Sequence, residues 1–332
     1  MIEYPQIVAE DVEFTYAVSL VRALEVKLLS RERIMRMLEI PPSDLLKFLQ
    51  DTDYARFLPT HPSLYESIIT NSRGELFSLM EKLVPREYLY FLRLRYDLAN
   101  MKALLRGRII EKDVTGLLSP FGNYDTKWLE WVFREEKYYK LDGFAHAIEE
   151  AIVNYFQDKN SRNIDVVLDR AYYERRLKVS NLFYKTLTRI EIDLANLRTL
   201  TRIKWLNLEK SLLVRSIVKG GFISESELIS AFDANLDEIS QRFSNTPYYS
   251  QFSHGIDYLI KNASFVLLDR LCDEFIYSYI YDTTKYMNFG IEPVLAYFFK
   301  KENEHKVLRI IFAGKLNGIP NELIKERLPL GS

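Results

Sequence analysis

The apolar positions of this chain recur at helical spacing. Between residues 12 and 29 they fall at Phe14, Tyr16, Ala17, Leu20, Val21, Leu24 and Leu28, one stripe along a single helix face. The same periodicity predicts long helices over 86–106, 127–156, 180–202 and 249–282. No stretch of six or more residues alternates with period two. Tyr277 to Tyr281 alternates briefly, but inside a continuing helical pattern, so a helix is expected there too. The punctuation agrees with helices. Pro41-Pro42 stops one and Ser43 is placed to cap another. Ser63 to Glu66 and Ser224 to Glu227 have capping-box spacing, the second after the helix-stopping Gly220-Gly221. Pro320 suits the first turn of a last helix over 321–327. The fold class predicted is all-α.

The pattern also repeats over a long range. Asp97-Leu98-Ala99-Asn100-Met101-Lys102 returns as Asp193-Leu194-Ala195-Asn196-Leu197-Arg198. Glu304 to Arg309 keeps the acid, the apolar residue and the cation but loses the asparagine. Upstream of each, a large apolar residue precedes a tyrosine by five positions: Leu49 and Tyr54, Leu168 and Tyr173, Phe243 and Tyr248. The three acids are 96 and 111 residues apart, too far for a solenoid unit. Three diverged copies of one helical domain are therefore expected, at 1–117, 118–212 and 213–330. Their anchors are Tyr54, Asp97, Asn100 and Lys102, then Tyr173, Asp193, Asn196 and Arg198, then Tyr248, Glu304 and Arg309. The acid and the asparagine lie three apart on one helix face, and their expected role is to tie helices together within a bundle. The three tyrosines are expected to be equivalent and buried.

Composition changes this picture little. In 332 residues, 45 Lys and Arg face 46 Asp and Glu, so the basic footprint of a nucleic-acid binder is missing. Residues 170–204 carry an excess of cations, read as a solvated face with an acidic partner as the alternative. The single cysteine, Cys272, excludes a disulfide framework, favours a reducing compartment and is expected to be buried and inert. No apolar run reaches the ~18 residues of a membrane span, and the first residues lack the basic and apolar regions of a signal peptide.

Chemistry is hard to place on this chain. Its four histidines lie at 61, 146, 254 and 305, with no helical pair among them, so no metal site is expected. Gly314-Lys315 fails as a phosphate loop because Arg309 and Leu316 occupy the glycine and hydroxyl positions. A C-cap glycine beside a last-turn cation is expected instead. Glu135-Glu136 and Glu149-Glu150 point about 100° apart on a helix and do not converge. No catalytic residue and no cofactor is assigned.

Three segments resemble a known family: Leu49 to Tyr54, Tyr90 to Arg108, and Lys301 to Leu328 with its Gly-Lys-Leu-x-Gly-x-Pro turn. The chain resembles the C subunit of bacterial and archaeal V/A-type rotary ATPases, the counterpart of the eukaryotic d subunit, essentially over its full length. The resemblance implies three similar domains around a pseudo-threefold axis. It also implies a non-catalytic rotor part, peripheral at the cytoplasmic side of a membrane, with the central shaft subunits and the membrane proteolipid ring as partners. A helical-repeat adaptor outside the motor is the alternative.

Overall fold

A computed structural model describes residues 2–8 and 11–330. In chain order the helices are α1 (Thr15–Glu25), α2 (Arg31–Glu39), α3 (Leu45–Phe48), α4 (Tyr65–Leu83), α5 (Arg86–Ile109), α6 (Thr126–Arg134), α7 (Ala145–Asp158) and α8 (Arg162–Arg176). They continue as α9 (Leu182–Trp205), α10 (Lys210–Ser216), α11 (Glu225–Ala231), α12 (Tyr249–Asn262), α13 (Val266–Thr284), α14 (Glu292–Leu316) and α15 (Asn321–Lys325). Short 3₁₀ turns link them, and no strand occurs among the described residues. The fold is all-α.

The chain separates into two units, Met1–Val84 with Asn235–Ser332, and Pro85–Ala234. In the first, the C-terminal half of α14 packs against N-terminal elements. Val307, Leu308, Ile311 and Phe312 join Ile34, Met37, Leu38, Leu45 and Leu49 in one core. The N-terminal segment and the C-terminal long helix, almost 300 residues apart, thus share a core. In the second unit, α8 lies antiparallel to α5. Lys102 meets Asp169 at 2.6 Å and Arg106 meets Asp165 at 2.5 Å, so the partner's number falls by four as the first rises by four.

Two predicted helices are each broken in two. The 127–156 span splits into α6 and α7, because Lys137 to Phe144 turns through a 3₁₀ segment and Gly143 at φ 73°. The Arg175 guanidinium packs where a Gly143 side chain would stand and donates to the Asp142 carbonyl at 2.8 Å. The 249–282 span splits at Ala263, which sits at φ 51° and ends α12. Ser224 and Glu227 do form a reciprocal capping box on α11. Ser63 and Glu66 do not, since the imidazole of His61 caps the turn Pro62–Leu64 and α4 starts at Tyr65. Gly314 is not a cap but an interior residue of α14 packed against Ile324, and the left-handed position is Gly318 at φ 68°. Cys272 is buried.

Ala263 occupies the left-handed region, where a Cβ costs roughly 1–2 kcal/mol. Replacing Ala263 with Gly should raise stability by about 0.5–1 kcal/mol, measured by urea unfolding. A loss of stability would show that the methyl group makes packing contacts outweighing the strain.

Candidate functional site

In α5 the Asp97 side chain is fully buried. Its Oδ1 accepts the backbone N–H groups of Asn123 at 2.7 Å and Tyr124 at 3.3 Å, while Oδ2 accepts from the Asn123 amide at 2.7 Å. One turn further, Asn100 donates to the Ser119 carbonyl at 2.9 Å and accepts the Ser119 N–H at 2.7 Å. One turn earlier, Arg93 donates to the Gly122 carbonyl at 3.0 Å. Three side chains on one face of α5 therefore hold the chain that leads into α6, whose N-cap is Asp125.

The arrangement recurs in α9. Asp193 accepts from the backbone of Phe222 and Ile223, both at 3.0 Å. Asn196 donates to the Val218 carbonyl at 2.8 Å and accepts its N–H at 2.9 Å, and Arg189 donates to the Gly221 carbonyl at 3.0 Å. The N-cap of the following helix, Ser224, comes next. In α14 the acid is Glu304, which accepts the N–H of Leu29 at 2.5 Å, immediately before the N-cap Ser30 of α2. The turn held by α14 is therefore N-terminal in sequence.

A glycine explains the difference between aspartate and glutamate. A Cβ on Gly122 would lie 2.3 Å from Asp97 Oδ1, and one on Gly221 would lie 2.0 Å from Asp193 Oδ1. The short aspartate reaches the turn only if the backbone approaches closely. Where α14 carries the longer Glu304, the corresponding turn position is Lys27 and no glycine is needed. The long helices also end alike. Fourteen residues after each acid stands a left-handed residue: Glu111 (φ 52°), Asn207 (φ 51°) or Gly318 (φ 68°). The next N–H closes back to Gly107, Ile203 or Gly314.

The remaining predicted anchors divide. Lys102 pairs with Asp169 and Asp165 on α8, and Arg309 pairs through two nitrogens with Glu66 on α4, at 2.7 and 2.8 Å. Arg198 stands at the same register of α9. Tyr54 is buried at a turn and donates to Glu304 at 2.5 Å. Tyr248 is buried just ahead of α12, edge-on to Phe275 at 5.0 Å. Tyr173 lies instead in the middle of α8 and is only half-buried. The buried aromatic in the turn ahead of α7 is Phe144. Much of the cationic 170–204 stretch is likewise not a solvated face. Arg176 is buried against Glu191 and the hydroxyls of Tyr172 and Tyr184. Arg189 covers the Phe222 ring at 3.8 Å.

The polar groups that concentrate in the first unit are engaged with one another. Lys301 meets Glu304 at 2.6 Å and lies over the Tyr54 ring, and Arg73 meets Glu302 at 2.8 Å. The fully buried His305 contacts Ser72 Oγ through Nε2 at 2.8 Å and Glu302 through Nδ1 at 3.1 Å. Burial lowers the His305 pKa from 6.5 against the pull of Glu302, with Arg73 and Lys301 adding to the lowering. Burial likewise raises the Asp97 carboxyl to about 6 despite its donors, and pushes the Tyr54 hydroxyl well up. No set of three or more His, Cys, Asp or Glu among the described residues could hold a metal ion. The arrangement binds parts of the chain to each other and presents no nucleophile beside a base.

The sequence model of the family described as "ATP synthase (C/AC39) subunit" matches residues 17–327. The chain belongs to that family. Its relatives include the C subunit of the A-type ATP synthase of Methanosarcina acetivorans, 25% identical over 95% of this chain and 92% of the relative. The C subunit of the V-type sodium ATPase of Enterococcus hirae is 26% identical over 93% and 96%. The C subunit of the A-type ATP synthase of Methanocaldococcus jannaschii is 22% identical over 95% and 86%. In this member of the ATP synthase (C/AC39) subunit family, no helix among the described residues is long and apolar enough to cross a membrane.

Two outcomes test the anchors. Gly221→Ala should destabilise the protein by about 1–3 kcal/mol through overpacking against Asp193. Gly116→Ala, where a Cβ meets open space, should change stability by less than about 0.5 kcal/mol. Equal unfolding midpoints for the two variants would refute the close-approach account. For His305, the folded form binds its proton less readily than the unfolded chain. Stability should therefore be full above pH 6.5 and decline as pH falls through and below it. The difference in urea midpoint between the parent and His305→Gln should shrink between about pH 7.5 and 5.5. A difference that stays flat or grows would contradict it.

Proposed function

We propose that this protein is the non-catalytic rotor piece that joins the central shaft of a rotary ATPase to its membrane proteolipid ring. Torque from one then reaches the other, linking ATP to proton or sodium movement. The observation that carries this reading is the family match across 17–327, nearly the whole chain. Where the polar residues lie supports it. Buried charges and hydrogen-bonding groups fasten helices to turns, as a part that must stay rigid requires. A transmitting body needs two separate interfaces and stiffness between them, and close-packed helices transmit strain.

The reading carries a domain proposal with it: three similar helical copies, at 1–117, 118–212 and 213–330, around a pseudo-threefold axis. In support, the Asp97 and Asp193 anchors, 96 residues apart, hold their turns through the same kinds of bond. The Leu29 contact of Glu304 adds that the N-terminal segment completes the third copy. The protein then sits at the cytoplasmic face of the membrane as a peripheral part of the complex.

The test is to assemble the complex without this chain and measure two activities. ATP hydrolysis by the soluble head should persist, because no chemistry resides here. ATP-driven ion pumping should stop, because the ring no longer turns with the shaft. Pumping that survives would sink the coupling role. Hydrolysis lost from the isolated head would reveal a catalytic or regulatory part played by this chain.

A further inference from the structure

One end of the unit formed by Pro85–Ala234 collects helix termini. Helices α5 and α8 run antiparallel through the Lys102–Asp169 and Arg106–Asp165 pairs. Helices α8 and α9 form a hairpin, joined across 177–181 with Arg176 bonded to Tyr184. Helix α7 stops just before α8 starts, and Asn163 holds Asp158 across the gap at 2.8 Å. The C-terminal ends of α5, α7 and α9 therefore lie together, beside the N-terminus of α8.

Each of these three ends closes on a left-handed residue, Glu111, Lys159 or Asn207. Each also leaves one large apolar side chain in solvent: Ile110 at 57% exposure, Phe156 at 63% and Leu206 at 51%. Leu206 borders a groove of about 500 Å³ between α8 and α9, lined also by Val166, Tyr173 and Leu212. Around the tips the charge is positive. Segments 106–113, 158–162 and 202–210 hold eight Lys and Arg against four Asp and Glu. Lys159 Nζ stands 4.5 Å over the Phe156 ring.

The same device appears independently in the other unit. Helix α12 ends on left-handed Ala263 with Ile260 exposed three residues earlier, the spacing of Phe156 and Lys159. Helix α14 ends on Gly318 with Leu316 and Ile319 exposed. A terminus that keeps one projecting apolar residue in successive copies, while its backbone cap is rigidly hydrogen-bonded, is built for a partner that repeats. A single inserted rod does not call for the same tip in every copy.

We propose that these helix ends, with Ile110, Phe156 and Leu206 as the tips in the 85–234 unit, are the surface that meets the membrane ring. Resting on the coupling role above, this assigns the occupant as the polar rim of the ring's repeated subunits. Apolar side chains there receive the tips, and acidic groups receive the surrounding cations. The opposite ends of the long helices are left for the shaft.

The experiment compares the full-length protein with the triple variant Ile110→Asp, Phe156→Asp, Leu206→Asp. A second variant, Lys112→Glu, Lys159→Glu, Arg162→Glu, touches no apolar residue and stands in should the first fail to fold. Binding is measured to the ring in nanodiscs of neutral phosphatidylcholine, to the purified shaft subunits, and to protein-free vesicles containing phosphatidylglycerol. Ring affinity should fall by at least about tenfold, as loss of central interface anchors does, with shaft affinity unchanged. Unaltered ring affinity in a folded variant overturns the assignment, as does loss of shaft binding in its place. Parent protein that binds protein-free anionic vesicles as tightly as the ring makes the surface a lipid-binding one and also overturns it. Parent protein that binds neither ring nor shaft sinks the coupling role itself, and this assignment with it.

Discussion

A carboxylate sealed in the interior, satisfied by backbone N–H groups, is the constraint on which the rest of this structure hangs. Removing such a charge from water costs several kcal/mol. Asp97 and Asp193 recover that only while the turn beyond their helix stays closed around them. Gly122 and Gly221 let the turn come near enough, Arg93 and Arg189 hold the glycine carbonyls, and Asn100 and Asn196 fix the neighbouring stretch of chain. An open turn strands a buried acid, so each long helix and its following short helix form one cooperative piece. The same logic binds the chain's beginning to its end, where Glu304 holds Leu29 and Tyr54.

This has mechanical meaning for a body that passes torque. Apolar packing alone lets helices slide by small increments, because the hydrophobic effect is not directional. Hydrogen bonds to a buried charge have a narrow geometry and roughly twice the strength of neutral ones. Placing them where each long helix meets the next segment fixes rotation and translation together. The ion pairs from Lys102 to α8 and from Arg309 to α4 act in the same register, half-buried or at the surface, and each adds less. The rigid interior frees the helix termini to carry exposed apolar residues without loosening the fold.

Several features were legible in the sequence because they follow from local spacing. Helical periodicity, the Ser224 to Glu227 capping box and the burial of Cys272 need no partner from elsewhere in the chain. The Asp97 and Asp193 echo could be found because both residues of each pair lie on one helix face. Their partners could not. The donors are backbone N–H groups, which every residue but proline carries, so Asn123 and Phe222 leave no mark. Gly122 and Gly221 were visible only as loop signals, and Arg93 and Arg189 as two cations among many. The tyrosine echo failed at Tyr173 because five-residue spacing from a leucine does not distinguish a helix interior from a turn. The turn aromatic of that region is Phe144, a different residue type.

By itself the sequence determined the helices, most of their ends and the recurrence of the acid-and-asparagine pattern, since these depend on residues within a few turns of one another. It also carried the family, because the three segments with its pattern retain their order and spacing. Tertiary structure decided what the repeated acids hold, which turn closes on α14, and where the 127–156 and 249–282 spans break. It also decided which cations of 170–204 are buried. Each of these depends on groups far apart in the chain coming within hydrogen-bond or packing distance, and on the low-dielectric surroundings that make such contacts strong. One-dimensional spacing contains neither the distance nor the dielectric.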